Sequence, residues 1–331
     1  MRICIYGAGA IGGLLGAKLA LTGEDVTLIA RGPHLAAIRE RGLTVASKAE
    51  TLTVRPRATD KPEEAGRQDF VIVALKSNAV PGIVGQMLPL LGQDTAVVMA
   101  VNGVPWWYFY GVEGPFRDRR IKSLDPENRL WTMIGPQRTI GCVVYPAAEI
   151  VAPGHIQHIE GDRFSLGEPD GQKSERVLAL SRALTAAGLK APVKADIRSE
   201  IWVKLWGNAV FNPISALTGA TLRAICENHG TAQLVRTVMR EVELVANALG
   251  IAMPVSLERR MAGAAALGDH KTSMLQDIEK GRPPELDAII AAVIELAEIT
   301  KVSVPQLQEL YALTCLRAET SLSDARGLHM H

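Results

Sequence analysis

Only four cysteines occur in the 331-residue sequence. Cys4, Cys142, Cys226 and Cys315 are scattered, with no C-x-x-C pair. That argues against a zinc site or a disulfide framework and fits a reducing compartment. Basic tracts are also missing. The formal net charge is +1, and no run of Lys or Arg offers the footprint that nucleic acid or an anionic membrane surface requires. The expected ligand is therefore a small molecule. No apolar run reaches the roughly 18 residues that suggest a membrane span. The chain opens on MRICIYG, already a strand, with no apolar signal core, so the expectation is a cytoplasmic protein. Repeats and low-complexity stretches are absent as well. A hydrophobic content of 47% with 21% charged residues is ordinary for a chain long enough to build two cored domains.

The first half alternates short β-branched runs with helical patterns: RICIYG, a small-residue helix through Leu21, DVTLIA, FVIVAL and TAVVMAV. This is the rhythm of βαβ units around a parallel sheet. GCVVYP, GHIQHI and RFSLGE read as further strands closing the same domain. From about Asp196 the character changes. IWVKLWGNAVFN, TVMREVELVANAL and DAIIAAVIELAEIT repeat at the helical period without intervening strands, so the second half is expected to be helical. GLKAPVKAD, with its Gly, Pro and charges, marks the junction near residues 188–196. The reading is an α/β chain with a dinucleotide-binding domain over 1–190 and an all-α domain over 191–331.

Gly7, Gly9 and Gly12, with Ala8, Ala10 and Ile11 between them, spell G-x-G-x-x-G between a strand and a helix. In that setting the first glycine serves a tight turn and the second lets a pyrophosphate approach. The third allows close helix-to-strand packing, and the free N–H groups of the helix receive the anion. A structural turn or a methyltransferase-like site remains an alternative. An NAD site would place an acid at the end of DVTLIA, but the chain has Ala30-Arg31 there. Arg31 suits the 2′-phosphate of NADPH, or else is a solvated arginine opening the turn RGPH. Lys76, ending FVIVAL, and Asn102 with Gly103, ending the next strand, are expected on the same edge of the sheet.

IWVKLWGNAVFN is apolar almost all round yet carries Lys204, Asn208 and Asn212. Spaced i, i+4, i+8, the three form one seam on a helix. An unpaired buried amide costs about 1 to 3 kcal/mol and a buried ammonium more, so the seam must face polar groups, water or a polar ligand. Alternatively, Lys204 is a solvated lysine on an outer face, and the asparagines satisfy a helix end beside Pro213. Glu285 follows Pro283-Pro284 at the expected start of a helix, where a carboxylate interacts well with the dipole whether or not it binds a ligand.

With GAGAIGG, LKS, VNG, WVKLWGNAVFNP, and Ser273 in HKTSMLQD ahead of Glu285, the chain resembles the ketopantoate reductase (2-dehydropantoate 2-reductase) family over nearly its whole length. The resemblance implies a Rossmann-type domain followed by a helical domain. It also implies NADPH/NADP+ as cofactor and reduction of a 2-keto acid in the cleft between the domains, most naturally 2-dehydropantoate to pantoate in pantothenate biosynthesis. By the same resemblance Lys204 is the general acid, Asn208 and Asn212 organise the site, and Glu285 holds the substrate hydroxyl. Ser273 and Asn102 meet the carboxylate end, and Gly7, Gly9, Gly12, Arg31 and Lys76 hold the cofactor. No metal is implied, and His155 and His158, three apart on a strand, point to opposite faces.

Two departures from the family pattern bear on substrate selection. His270 stands where some relatives place an asparagine, and DAIIAAV follows Glu285 where an Asn-Gly is often found. A third oddity is the long segment 105–136, with Trp106, Trp107, Tyr108, Phe109 and Tyr110 in a row. It is open to three readings: a satellite core, a contact between copies in a homodimer, or a pocket wall. A non-catalytic NADP-binding redox sensor remains an alternative for the whole chain, as does an opine-type or 3-hydroxy acid dehydrogenase. The polar seam favours the reductase, because a sensor has no need of an ammonium and a carboxylate.

Overall fold

The computed structural model describes residues 1–327 and divides the chain into two compact units. The first comprises Met1–Val101, Pro105–Arg120 and Asp125–Ile197; the second comprises Asn102–Val104, Ile121–Leu124 and the chain from Arg198 onward.

The elements of the first unit are β1 (Arg2–Tyr6), α1 (Ala10–Leu21), β2 (Asp25–Ile29), α2 (Gly32–Arg41), β3 (Leu43–Ala46), β4 (Thr51–Val54), β5 (Arg57–Thr59), β6 (Gln68–Val73), α3 (Val80–Met87), β7 (Leu91–Met99), β8 (Thr139–Val144), β9 (Ala147–Ala152), β10 (His155–Glu160), β11 (Phe164–Gly167) and α4 (Glu175–Ala186). Among the described residues they form a seven-stranded sheet of order β11-β8-β7-β6-β1-β2-β5 and a four-stranded sheet of order β4-β3-β10-β9. The large sheet is parallel except where β11 runs against β8. Its central strands are apolar runs because both faces are covered: Ile3, Cys4 and Ile5 are wholly buried. Burial also raises the pKa of the Cys4 thiol to about 12. Helix α1 packs closely because it presents small residues. A Cβ on Gly16 would stand 2.5 Å from the Leu28 side chain of β2. From β1 the strand order runs one way through β2 and β5 and the other way through β6, β7 and β8, a topological switch point.

The second unit is built of α5 (Ile197–Thr218, whose first residue falls in the first unit), α6 (Leu222–Glu227), α7 (His229–Ala248), α8 (Leu257–Ala266), α9 (Ser273–Glu279), a π turn (Asp287–Ala291), α10 (Ala292–Thr300) and α11 (Pro305–Gly327). Helix α5 continues through Pro213 to Thr218, so Asn208 and Asn212 do not lie at a helix end. Its Trp202, Leu205, Trp206, Ala209 and Val210 are buried, and the Trp206 indole N–H donates to the Met239 carbonyl of α7 at 2.8 Å. No helix among the described residues is long and apolar enough to cross a membrane.

The segment of consecutive aromatics resolves as core. Trp106, Trp107, Tyr108 and Phe109 are buried within the first unit, and a Cβ on Gly141 of β8 would stand 3.0 Å from the Trp107 ring. Only Tyr110 is partly exposed, edge-on to Trp131. Four buried rings fill the satellite-core reading and leave little for a pocket wall.

One buried carboxylate organises the end of the second unit. Glu241 of α7 accepts the backbone N–H groups of Gln306, at 3.1 Å, and Leu307, at 2.9 Å, in the first turn of α11. Glu241→Ala leaves two helix-terminal donors without this partner, at about 1 to 3 kcal/mol each where water cannot reach. The variant should unfold in urea with a stability lower by roughly 2 to 6 kcal/mol; an unchanged denaturation midpoint would show that water replaces the carboxylate.

Candidate active site

The carboxyl ends of four parallel strands lie level. Tyr6 of β1 is in register with Ile29 of β2 and Val73 of β6, and Val73 with Met99 of β7. The glycine loop is tied to this edge, since the Ile29 carbonyl accepts from both Gly7, at 3.2 Å, and Ala8, at 2.9 Å. Gly7 has φ +101°, where a side chain is strained. A Cβ on Gly12 would stand 2.0 Å from the Gly7 carbonyl oxygen, so helix and loop interlock there. At Gly9 a Cβ would meet no atom within 4 Å. Gly9 is the N-cap of α1, with neither a side-chain cap nor an acid in the first turn. Open space in front of uncapped N–H groups is what a pyrophosphate requires, so these residues fit a dinucleotide.

Arg31 is exposed at the N-cap of α2, whose first turn also lacks an acid and a side-chain cap; RGPH thus opens a helix rather than a free turn. Burial raises the pKa of Tyr6, and the Arg31 guanidinium works against that rise, so its charge is felt at the end of β1. Lys76 and Asn102 do not end their strands. β6 stops at Val73 and β7 at Met99, which places each of the two residues three positions further on. Lys76 is exposed just before a short 3₁₀ turn. His34, missed in the sequence, lies three residues beyond Arg31. Its Nδ1 accepts the Gly154 N–H at 3.0 Å, and burial lowers its pKa while the nearby Ala8 carbonyl acts in the opposite sense. A neutral imidazole therefore sits beside the glycine loop. Its place on the first turn of α2 was the available signal.

In the second unit the structure joins three of the expected residues. The Lys204 ammonium donates to Asn102 Oδ1 at 2.7 Å, and Asn102 Nδ2 donates to Glu285 Oε2 at 3.2 Å. Lys204 and Asn102 are partly exposed, whereas Glu285 is 4% exposed. Glu285 does not begin a regular helix; it precedes the π turn. Further up the seam, Asn208 is partly exposed, and Asn212 is buried with its Nδ2 lacking a hydrogen-bond partner. Ser273 is exposed at the first position of α9, after the N-cap Thr272, and makes no hydrogen bond to Lys204, Asn102 or Glu285. Among the described residues no group of three or more His, Cys, Asp and Glu could hold a metal ion.

A parallel α/β unit with an open glycine loop, joined to a helical unit holding an ammonium, an amide and a carboxylate in one chain, has the make-up of a nicotinamide-dependent oxidoreductase. The family is shown by comparison: residues 3–171 match the ketopantoate reductase PanE/ApbA model and residues 196–317 its C-terminal model, and the chain belongs to that family. A 2-dehydropantoate 2-reductase of Mesorhizobium japonicum is 52% identical over 95% of this chain and 96% of its own. The crystal structure of a presumed ketopantoate reductase from Ralstonia solanacearum matches with a TM-score of 0.92 at 41% identity, covering 96% of this chain and 98% of that one. That of 2-dehydropantoate 2-reductase from Geobacter metallireducens matches with a TM-score of 0.83 at 30% identity, covering 95% and 99%.

The two glycines give a discriminating pair of variants. Gly9 has φ −68°, which alanine adopts freely, so Gly9→Ala should keep the wild-type Tm and weaken NADPH binding by about tenfold or more, as its methyl takes the anion's space. Gly12→Ala forces a methyl onto a backbone oxygen and should lower stability by about 1 to 3 kcal/mol. Thermal melts and NADPH fluorescence titrations separate the two; a tight-binding Gly9→Ala protein would rule out pyrophosphate at this loop.

Proposed function

We propose that the chain reduces a 2-keto acid to the 2-hydroxy acid with NADPH, and that the substrate is 2-dehydropantoate and the product pantoate. The observation that carries this reading is the run Lys204–Asn102–Glu285, with Lys204 Nζ 2.7 Å from Asn102 Oδ1. When bound, NADPH supplies the hydride that reduces the ketone carbon. Gly7, Ala8, Gly9, Ala10, Ile11 and Gly12 would hold its pyrophosphate, Arg31 its 2′-phosphate, and Lys76 its nicotinamide side. Reduction places developing negative charge on the ketone oxygen. The Lys204 ammonium stabilises that charge and then donates the proton that completes the hydroxyl. Asn102 orients the ammonium: its carbonyl end must face the N–H of Lys204 because its amide end faces the Glu285 carboxylate.

Glu285 holds the substrate hydroxyl, the group an acceptor-only carboxylate is suited to receive. Asn208 and Asn212 complete the seam. The buried, unpaired Nδ2 of Asn212 is satisfied by a substrate oxygen, which recovers a desolvation cost of about 1 to 3 kcal/mol. Ser273 meets the carboxylate end from the first turn of α9, where a helix N-terminus favours an anion.

Two measurements test the assignment. Lys204→Ala should lower kcat on 2-dehydropantoate by about 10²-fold or more while the NADPH Kd barely changes. Normal turnover by that variant would reduce the lysine to a structural role. In steady-state assays with both cofactors the wild type should prefer NADPH, and Arg31→Ala should lose about 1 to 3 kcal/mol of the preference, the scale of a charge-assisted bond. Equal use of NADH and NADPH by the wild type would remove the argument for Arg31.

A further inference from the structure

We infer that Gly103 and Ala288 form a seat that fixes Asn102 against Lys204 and Glu285, which makes both of them positioning residues for proton delivery. The inference rests on the reading of Lys204 as the general acid. Asn102 lies three residues beyond the end of β7, so its position depends on the backbone at Gly103 and Val104. The Val104 N–H donates to the Ala288 carbonyl at 2.8 Å. Gly103 between them has φ +89°, and a Cβ there would stand 2.2 Å from that same carbonyl oxygen and 2.7 Å from the Ala288 Cβ. Residues 102–104 are thus pressed backbone to backbone on Ala288, with room for no side chain.

Ala288 belongs to the π turn Asp287–Ala291, in which the Ala292 N–H bonds back to the Asp287 carbonyl. A π turn inserts one residue into helical register and often occurs at functional sites. Glu285 stands two residues before it, so the turn sets how Glu285 is offset from α10. The same turn sets Asn102 through the Ala288 carbonyl. Two members of the run Lys204–Asn102–Glu285 therefore take their places from one backbone irregularity. A Cβ at Gly103 meets backbone that cannot rotate away, so residues 102–104 must lift and the 2.7 Å bond to Lys204 must open. Misplacing a catalytic group by about 1 Å can cost as much as 10²-fold in rate.

The test is a double-mutant cycle on the purified full-length enzyme. Gly103→Ala and Ala288→Val, which crowds the seat from the helix side, are each made in the wild type and in Lys204→Ala. In the wild type each should lower kcat on 2-dehydropantoate by about tenfold or more, with the NADPH Kd within about twofold. In Lys204→Ala each should lower the residual kcat by a clearly smaller factor than in the wild type, because the part of the loss that runs through the ammonium is already gone. Losses that multiply equally in both backgrounds would overturn the inference, as would a folded variant with wild-type kcat. Should Gly103→Ala fail to fold, Ala288→Val carries the same test alone. Normal turnover by Lys204→Ala alone would overturn the general-acid reading and this inference with it, an outcome distinct from additivity in the cycle.

Discussion

One side-chain amide ties together the three groups of the proposed site. Asn102 has a single acceptor end and a single donor end, and the structure commits both: Oδ1 to the Lys204 ammonium and Nδ2 to the Glu285 carboxylate. Those groups are far apart in sequence, and each is costly to remove from water alone. Hydrogen bonds to charged partners, stronger than neutral ones, offset part of that cost and leave the amide no alternative orientation. An ammonium so held has a defined direction for its N–H bonds, which proton donation at a particular oxygen requires.

Direction is of use only if the carrying elements are themselves fixed. Helix α5 presents Lys204 from a body whose Trp202 and Trp206 are fully buried, and the Trp206 indole is bonded to the Met239 carbonyl. Rotation of α5 about its axis would drag two indoles through a close-packed interior. Beyond Asn102, the Glu295 carboxylate of α10 accepts the backbone N–H groups of Lys122 and Ser123, at 2.7 and 2.8 Å. The buried rings of Trp106 to Phe109 secure the intervening chain within the first unit. The aromatic run is thus part of the core of the first unit.

Much of this was legible in the sequence, for local reasons. The strand, glycine turn and helix at residues 2–21 are neighbours in the chain, so composition and spacing sufficed. Strand ends were misjudged because apolar character outlasts the ladder. Ala74 and Leu75 follow β6, and Ala100 and Val101 follow β7, each run with one more bond across the edge: Ala74 N–H to Tyr6 and Ala100 N–H to Val73. The π turn was invisible. DAIIA contains no Gly or Pro, and over five residues its period cannot be told from that of an α-helix. The meeting of Asn102, Lys204 and Glu285 is non-local, and no periodicity encodes it; only the family resemblance put the three in one site.

The capping pattern bears on the proposed cofactor site. Helices α4, α6, α7, α8 and α9 are capped by Ser174, Thr221, Asn228, Ser256 and Thr272, each accepting a first-turn N–H. Helices α1 and α2 have none, with Gly9 and Arg31 at the N-cap and no acid in either first turn. Helices α3 and α10 also lack a side-chain cap, but each continues a preceding helical turn, whereas α1 and α2 start from extended backbone. Leaving out a cap costs about 1 kcal/mol of helix stability, and the same uncapped N–H groups, at the positive end of the dipole, are donors for an anion. Both uncapped ends follow the level carboxyl ends of β1 and β2, and Arg31 adds a full positive charge at the second. One uncapped helix would suit a pyrophosphate. Two, one of them with a guanidinium in place of the acid that would accept from a ribose hydroxyl, agree with the proposed NADPH site, in which the second strand-to-helix turn rather than the glycine loop would select the further phosphate.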